Sequence, residues 1–255
     1  MLSPKQDDHP VYKTDRLSCF VNLLSFANVS RDCSGPKGPP RKRTNDPEGL
    51  RNKVLDVAEA SFQARGYHAS ALGELMASAG VSGGALHHHF PTKKALALAV
   101  IEERVAAALE ETWIGPVRAA DTAREGVRAV FEAVATELEQ QGFVRGCPLN
   151  NLAHELSLAD SDFRAALARI FAEWRQAIAD KIRADQRAGR EQGTDPERFA
   201  ALAVATYSGA MSMAKTAQDA SVLRDCLAEL EGSPTPPFPS RAKRRRRILL
   251  RPGKP

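Results

Sequence analysis

Aromatic residues make up only 6% of the 255-residue chain, and no stretch alternates polar and apolar residues long enough to read as a strand. Sparse aromatics beside abundant alanine favour helix over sheet. Cysteine is scarce: Cys19, Cys33, Cys147 and Cys226 lie far apart, with no Cys-x-x-Cys pair. That spacing excludes the familiar zinc and redox motifs and predicts reduced thiols in a cytoplasmic protein. No apolar run reaches the roughly 18 residues that span a bilayer. The stretch 17–29 is short, is broken by Asn22, Ser25 and Asn28, and lacks a clean cleavage site, so neither a membrane span nor a signal peptide is expected. A glycine-rich phosphate loop, a nucleophile elbow, a His-Glu-x-x-His pair and the Glu-x-x-His pairs of helical di-iron proteins are all missing. A helical enzyme is therefore the weaker alternative, and no catalytic residue, cofactor or metal is expected.

Charge is present but uneven. The overall +5 combines +4 over residues 1–45, −7 over 46–231 and +8 over 232–255. The basic excess sits in the two ends, and such runs are ordinarily solvated rather than folded. Residues 1–45 show no sustained period and end in Gly35-Pro36-Lys37-Gly38-Pro39-Pro40-Arg41-Lys42-Arg43, which reads as a disordered basic arm or an over-extended gene start. Residues 232–255 read as a proline-rich linker and a disordered basic tail.

Between these ends the pattern predicts an all-α chain. Asp46-Pro47 opens a helix whose stripe is Leu50, Val54, Leu55, Ala58 and Phe62, stopped by Gly66. Ser70 is expected to cap a second, short helix that ends at Gly80. Ser82 caps a third, which runs to Phe90. Thr92 caps a long fourth from Lys93 to about Trp113, closed by Gly115-Pro116. Further helices follow on Val127–Leu138, Leu152–Leu158, Phe163–Ile182, Asp195 to about Met213, and Val222–Leu230.

The segment 71–90 carries the functional signal. It reads helix, tight break at Ala79-Gly80-Val81, second helix, which is the pattern of a helix-turn-helix. Gly80 supplies the left-handed backbone of the turn. Val81 plugs the gap between helices, and Ser82 satisfies amides of the next first turn. Small residues at the start of the third helix allow close approach to a duplex, with its dipole toward phosphate. His87 and His88 can donate to phosphate or base edges. The run His87-His88-His89 is not a metal site, because successive helical residues diverge by about 100°.

This stretch resembles the tetracycline-repressor (TetR) family. The matching elements are 54–67, with Arg65-Gly66-Tyr67, then Ala79-Gly80-Val81-Ser82, Gly84-Ala85-Leu86 and His88-His89-Phe90-Pro91-Thr92-Lys93, in order and without gaps. The resemblance implies an N-terminal three-helix helix-turn-helix domain (46–94) whose short helix enters the major groove. It implies Ser70 and Lys93 near phosphate and Ala85, His87 and His88 facing the groove, with Ser82 and Gly84 also among the candidate DNA-binding residues. Leu72, Leu75, Val81, Leu86 and Phe90 become the small core. Three positions depart from the family pattern: Gly83 stands where lysine is frequent, His87 where tyrosine is usual, and Ala71 where a hydroxyl residue is common. Arg41-Lys42-Arg43 could replace the attraction lost at Gly83.

The second half (95–231) is similar, more loosely, to a branch of the same family, through Gly146-Cys147-Pro148-Leu149-Asn150-Asn151-Leu152-Ala153-His154-Glu155, then Phe163-Arg164-Ala165-Ala166 and Phe171-Ala172-Glu173-Trp174. That resemblance implies a helical effector-binding and dimerisation domain. Trp113, Phe131, Phe143, Cys147, His154, Phe171 and Trp174 are the candidate walls of a small-molecule site. A thiol near a helix N-terminus can have a lowered pKa, which makes Cys147 a candidate electrophile sensor. Phe199, Leu202, Thr206, Gly209, Leu223 and Leu227 are the candidate dimer contacts, since partly small stripes permit close helix approach. The expected partners are double-stranded operator DNA, a small-molecule inducer and a second copy of the chain. A structural DNA-binding protein driven by its basic ends is the remaining alternative.

Overall fold

The structure, a computed structural model, describes residues 46–232. The expectations for residues 1–45 and for the tail beyond 232, with Cys19, Cys33 and Arg41-Lys42-Arg43, lie outside the described residues. Among the described residues every regular element is helical.

Helix α1 (Pro47–Arg65) begins as its sequence dictates: Asp46 accepts from the Gly49 N–H at 2.8 Å, and Pro47 occupies the first turn. Helix α2 (Leu72–Ala79) is capped by Ala71, not Ser70, and receives no side-chain cap. Gly80 (φ 64°, ψ 37°) ends it in the left-handed region. Helix α3 (Gly83–His89) is capped by Ser82, whose Oγ accepts from the Ala85 N–H at 3.3 Å.

Helix α4 runs over 93–119 in five consecutive segments: Lys93–Ala99, a wider π-type turn at Val100–Val105, Ala106–Leu109, a second π-type turn at Glu110–Ile114, and Gly115–Ala119. The sequence predicts that this helix closes at Gly115-Pro116. Proline lacks an N–H and its ring crowds the carbonyl four residues back, which ordinarily breaks a helix. The second wide turn avoids the clash. The Gly115 N–H reaches five residues back to the Glu110 carbonyl, and Pro116 then falls in the first turn of the last segment, where it is tolerated.

Helix α5 (Ala123–Gln141) opens with a reciprocal capping box between Thr122 and Glu125 and ends at left-handed Gly142. Helix α6 (Pro148–Leu156) starts directly at the Cys147-Pro148 step, earlier than the expected Leu152. Helices α7 (Ser161–Arg187, capped by Asp160), α8 (Pro196–Ala217, capped by Asp195) and α9 (Ser221–Gly232) complete the chain. Helix α8 packs between α7 and α9, and α9 returns onto α5.

One apolar core runs through both halves. In the first half Leu55, Ala58, Phe62, Leu75, Leu86, Phe90 and Leu96 are buried together around α1. Farther on, Trp113, Phe131, Leu149, Ile170, Trp174 and Tyr207 fill the space between α4, α5, α6, α7 and α8. Burial of this kind supplies most of the stability of short helices, which are marginal on their own.

Candidate nucleic-acid interface and aromatic core

Helix α3 is held from below and open above. Leu86 is fully buried and Phe90 is 3% exposed, while Ser82, Gly84, His87 and His88 lie exposed, with Ala85 half-buried beside them. His87 Nδ1 lies 3.1 Å from the Pro91 carbonyl oxygen, so this ring folds back along its own helix end.

Two further expected contacts sit differently. Ser70 is fully buried: its Oγ donates to the Gly66 carbonyl at 2.7 Å and pairs with Ser61 Oγ at 2.8 Å. Its N–H binds the Tyr67 carbonyl, so Ser70 closes the α1–α2 turn and presents no hydroxyl to a phosphate. Lys93 is half-buried. Its ammonium donates to the Tyr67 carbonyl at 2.6 Å and sits 4.3 Å from the centre of the Tyr67 ring. Burial lowers the Lys93 pKa, against the opposing pull of Glu155. Two jobs are thereby combined at the start of α4: tying down the α1–α2 turn and carrying charge beside α3.

The α1–α2 turn is clamped to the second half of the chain. The Glu155 carboxylate on α6 accepts from the N–H groups of Tyr67 (2.8 Å) and His68 (2.7 Å). Gly66 makes the approach possible, because it adopts φ +86° and a Cβ there would lie 2.9 Å from a Glu155 carboxylate oxygen. Beside it, buried Gln63 donates to the Gly146 carbonyl at 2.7 Å and accepts from Asn151 Nδ2 at 3.1 Å. Lys215 of α8 then donates to Asn151 Oδ1 at 3.0 Å. A polar relay thus runs from α1 through α6 to α8. Sequence reading did not find Gln63 or Lys215, and gave Asn151 and Glu155 no role. Nothing local marks a glutamine whose partner lies 83 residues away.

Glu59, also on α1, is 5% exposed, and its Oε1 has no hydrogen-bond partner. Burial pushes its carboxyl up to about 7, with Arg104 pulling down and Asp56 adding to the rise.

The second half centres on interlocking rings. Trp113 meets Tyr207 (4.7 Å between centroids), Trp174 (4.9 Å) and Phe131 (5.7 Å), all edge-to-face. Tyr207 also contacts Phe131 at 5.4 Å and Trp174 at 5.7 Å. Phe171 is half-buried and stacks on Trp174 at 6.3 Å and 22°. The structure gathers Trp113, Phe131, Phe171 and Trp174 around Tyr207, which the sequence does not single out. Phe143 is placed elsewhere, half-buried under the Arg145 guanidinium, and His154 is exposed on α6.

Cys147 is buried, and burial pushes its thiol up to about 11 although the amides of Asn150 and Leu149 favour the thiolate. The low-pKa expectation is overturned: desolvation outweighs the helix N-terminus. Burial likewise drives the Tyr207 phenol far above its ordinary range, reinforced by neighbouring Cys147 and opposed by the Trp113 N–H. That indole favours the phenolate without closing a hydrogen bond, because Trp113 Nε1 and Tyr207 OH both lack partners.

Helix α8 has two apolar faces. Phe199, Ala203, Tyr207, Ala210 and Ala214 point into the protomer, and Arg124 covers the Phe199 ring at 4.6 Å. Leu202, Ala205, Gly209, Ser212, Met213 and Thr216 form an exposed, uncharged face, with Leu202 and Met213 49% and 56% exposed and Thr206 half-buried beside them. Leu223 and Leu227 of α9 are buried in the protomer's own core, so these two and Phe199 are corrected from surface contacts to core residues.

Among the described residues no helix is long and apolar enough to cross a membrane, and no group of His, Cys, Asp or Glu is arranged to hold a metal ion.

Comparison with known proteins agrees with both halves. Residues 54–100 match the family described as bacterial regulatory proteins, tetR family, and residues 123–229 match the C-terminal domain of LmrA/YxaF-like transcriptional regulators. The chain is 25% identical over 177 residues to an uncharacterized HTH-type transcriptional regulator in the lacX 3' region of Lactococcus lactis subsp. lactis, covering 68% of this chain and 89% of that one. It is 27% identical over 170 residues to the HTH-type transcriptional repressor DhaR of Mycobacterium sp. (strain GP1), covering 64% and 80%. A TetR transcriptional regulator from Chloroflexus aurantiacus J-10-FL superposes with a TM-score of 0.65 at 26% identity, over 73% of this chain and 94% of that one. A three-helix reading head fused to a helical second half, matched at both ends by these relatives, places the chain in the TetR family of bacterial transcriptional regulators.

Proposed function

We propose that the protein is a homodimeric repressor that binds operator DNA through α3 and releases it on binding a small-molecule inducer in its second half. The observation that carries the reading is the seating of α3. Leu86 and Phe90 anchor it on α1, Gly80 turns the chain into it, and Ser82, Gly84, Ala85, His87 and His88 remain outward, where the major groove would take them. The unit that does this spans 46–94, and residues 95–231 form the effector and dimer part. The Gly146-Cys147-Pro148-Leu149 run, which leads into α6 beside the ring cluster, belongs to that part.

Dimerisation supports groove reading because it repeats the reading head one helical turn along the duplex. The exposed uncharged face of α8 is the surface that fits a second copy. Inducer action follows from differential binding: a ligand lowers operator affinity only by as much as it prefers the form with wrongly spaced heads. The Glu155 clamp and the Gln63–Asn151–Lys215 relay give the heads a rigid tie to the second half.

The test is footprinting of the promoter beside the gene with purified full-length protein, over a salt series. A protected, sequence-specific site whose affinity falls steeply with salt is the expected result. A monomer with no preference for that promoter over random competitor at moderate ionic strength refutes it.

A further inference from the structure

We propose that the ring cluster of the second half binds a neutral, ring-bearing small molecule that carries a hydrogen-bond acceptor, such as a ketone or amide carbonyl; this rests on that half being the effector part.

Trp113 Nε1, Trp174 Nε1, Tyr207 OH and Thr112 Oγ1 are all buried, and none has a hydrogen-bond partner. Native cores leave few such atoms, because an unmet donor costs its full desolvation. Three of them, from α4, α7 and α8, are carried by rings whose centres lie 4.7 to 5.7 Å apart. An indole N–H can only donate, so the two tryptophans cannot satisfy each other. The Tyr207 oxygen lies near the Trp113 N–H without forming a bond to it, and Trp174 Nε1 has no acceptor. The hydroxyl of Tyr207 can donate as well, so one carbonyl oxygen or a pair of them would suit the set.

The surroundings fix the rest of the ligand. The walls are aromatic faces and edges, which favour a ring. Among the described residues no lysine or arginine is buried, and buried Asp185 is already bound by Lys181, Arg190 and the Ala123 N–H. A carboxylate or phosphate would therefore enter without a counter-charge, at a large desolvation cost. Phe171 marks the way in. Of Trp113, Phe131, Phe171, Trp174 and Tyr207 it alone is partly exposed, and it lies parallel on the Trp174 face, where a planar guest would take its place.

The experiment uses three probes of one size: acetophenone, ethylbenzene and benzoate. Trp113 and Trp174 are the chain's two tryptophans, so protein carrying fluorotryptophan reports on this core alone by fluorine NMR. Acetophenone is expected to shift both resonances and raise the melting temperature. Ethylbenzene should bind about tenfold more weakly for want of the acceptor, and benzoate should not bind. Tyr207→Phe removes only the hydroxyl and should reduce the preference for acetophenone over ethylbenzene; Trp174→Phe provides the same comparison if the first variant fails to fold. Ethylbenzene binding as tightly as acetophenone, benzoate binding tightest, or resonances unmoved at saturating acetophenone each overturn the proposal. Release of a labelled promoter fragment is read separately. Probe binding at the tryptophans without loss of DNA affinity upholds the ligand class and overturns the effector role. Release by a compound that leaves both resonances in place upholds the regulator and overturns the core site.

Discussion

Replacing Glu59 by glutamine should flatten the pH dependence of stability. The carboxyl is raised from 4.5 to about 7 because it is buried on α1 with one oxygen unpartnered. Between those two values the folded chain holds a proton that the unfolded chain gives up. The stabilisation is therefore complete below about pH 4.5, declines above it, and is gone once pH has passed about 7. A shift of this size corresponds to about 3 kcal/mol, at about 1.4 kcal/mol per pKa unit. Glutamine keeps the shape and stays neutral at every pH. Urea denaturation of both proteins from pH 5 to 8, with histidines and other groups common to the pair, isolates the contribution as the difference between two curves. The difference should favour Glu59→Gln progressively as pH rises, by up to about 3 kcal/mol at pH 8. Parallel curves across that window would refute the argument that this carboxyl is held neutral by burial.

Three other outcomes follow from named contacts. Asp185, buried and bound by the Ala123 N–H, Lys181 and Arg190, should cost about 3–5 kcal/mol when changed to alanine, read by urea denaturation. Burial pushes the Asp185 carboxyl up, but these partners outweigh it and hold it low, so the wild type should lose this stabilisation as pH falls through the lowered value while the variant should not. Glu155→Gln should weaken two charge-assisted bonds worth about 1.5–3 kcal/mol each and accelerate hydrogen exchange at the Tyr67 and His68 amides; unchanged exchange there would show that the clamp is not what holds the turn. In a chain with Cys19→Ser and Cys33→Ser, a thiol reagent should modify half-buried Cys226 first and reach Cys147 only on unfolding, because burial holds that thiol at about 11; equal labelling rates by mass spectrometry would contradict this.

The reading head was legible because its signals are local. Gly80, Ser82, Thr92 and Asp46 each act on backbone within three or four residues, and each sits where the sequence predicts a turn or cap. Ser70 misled for the same reason: a hydroxyl ahead of a helix looks like a cap, yet a tertiary fit drew it inward against Ser61 and left Ala71 at the helix start. Pro116 misled because the rule that proline ends a helix assumes regular pitch, which the wide turn before it relaxes. Tyr207 was missed because α8 carries apolar residues on two faces. The stripe Phe199, Leu202, Ala203, Thr206, Gly209, Ala210 mixes two faces, and only packing separates the one that enters the core from the one left bare. The long-range contacts of Gln63 and Glu155 have no sequence period at all.

Helix α4 spans from the helix-turn-helix to the ring cluster. Its first turn carries Lys93, tied to the Tyr67 carbonyl, and its second wide turn carries Trp113 among the rings. At helical rise its 93–119 span is a strut roughly 40 Å long. Pivoted at one end, such a strut displaces its far tip by roughly 3 Å for a tilt of about five degrees, as lever geometry over that length requires. A side-chain adjustment around one indole that set off such a tilt would move the far end by a distance comparable to the rise of a base pair.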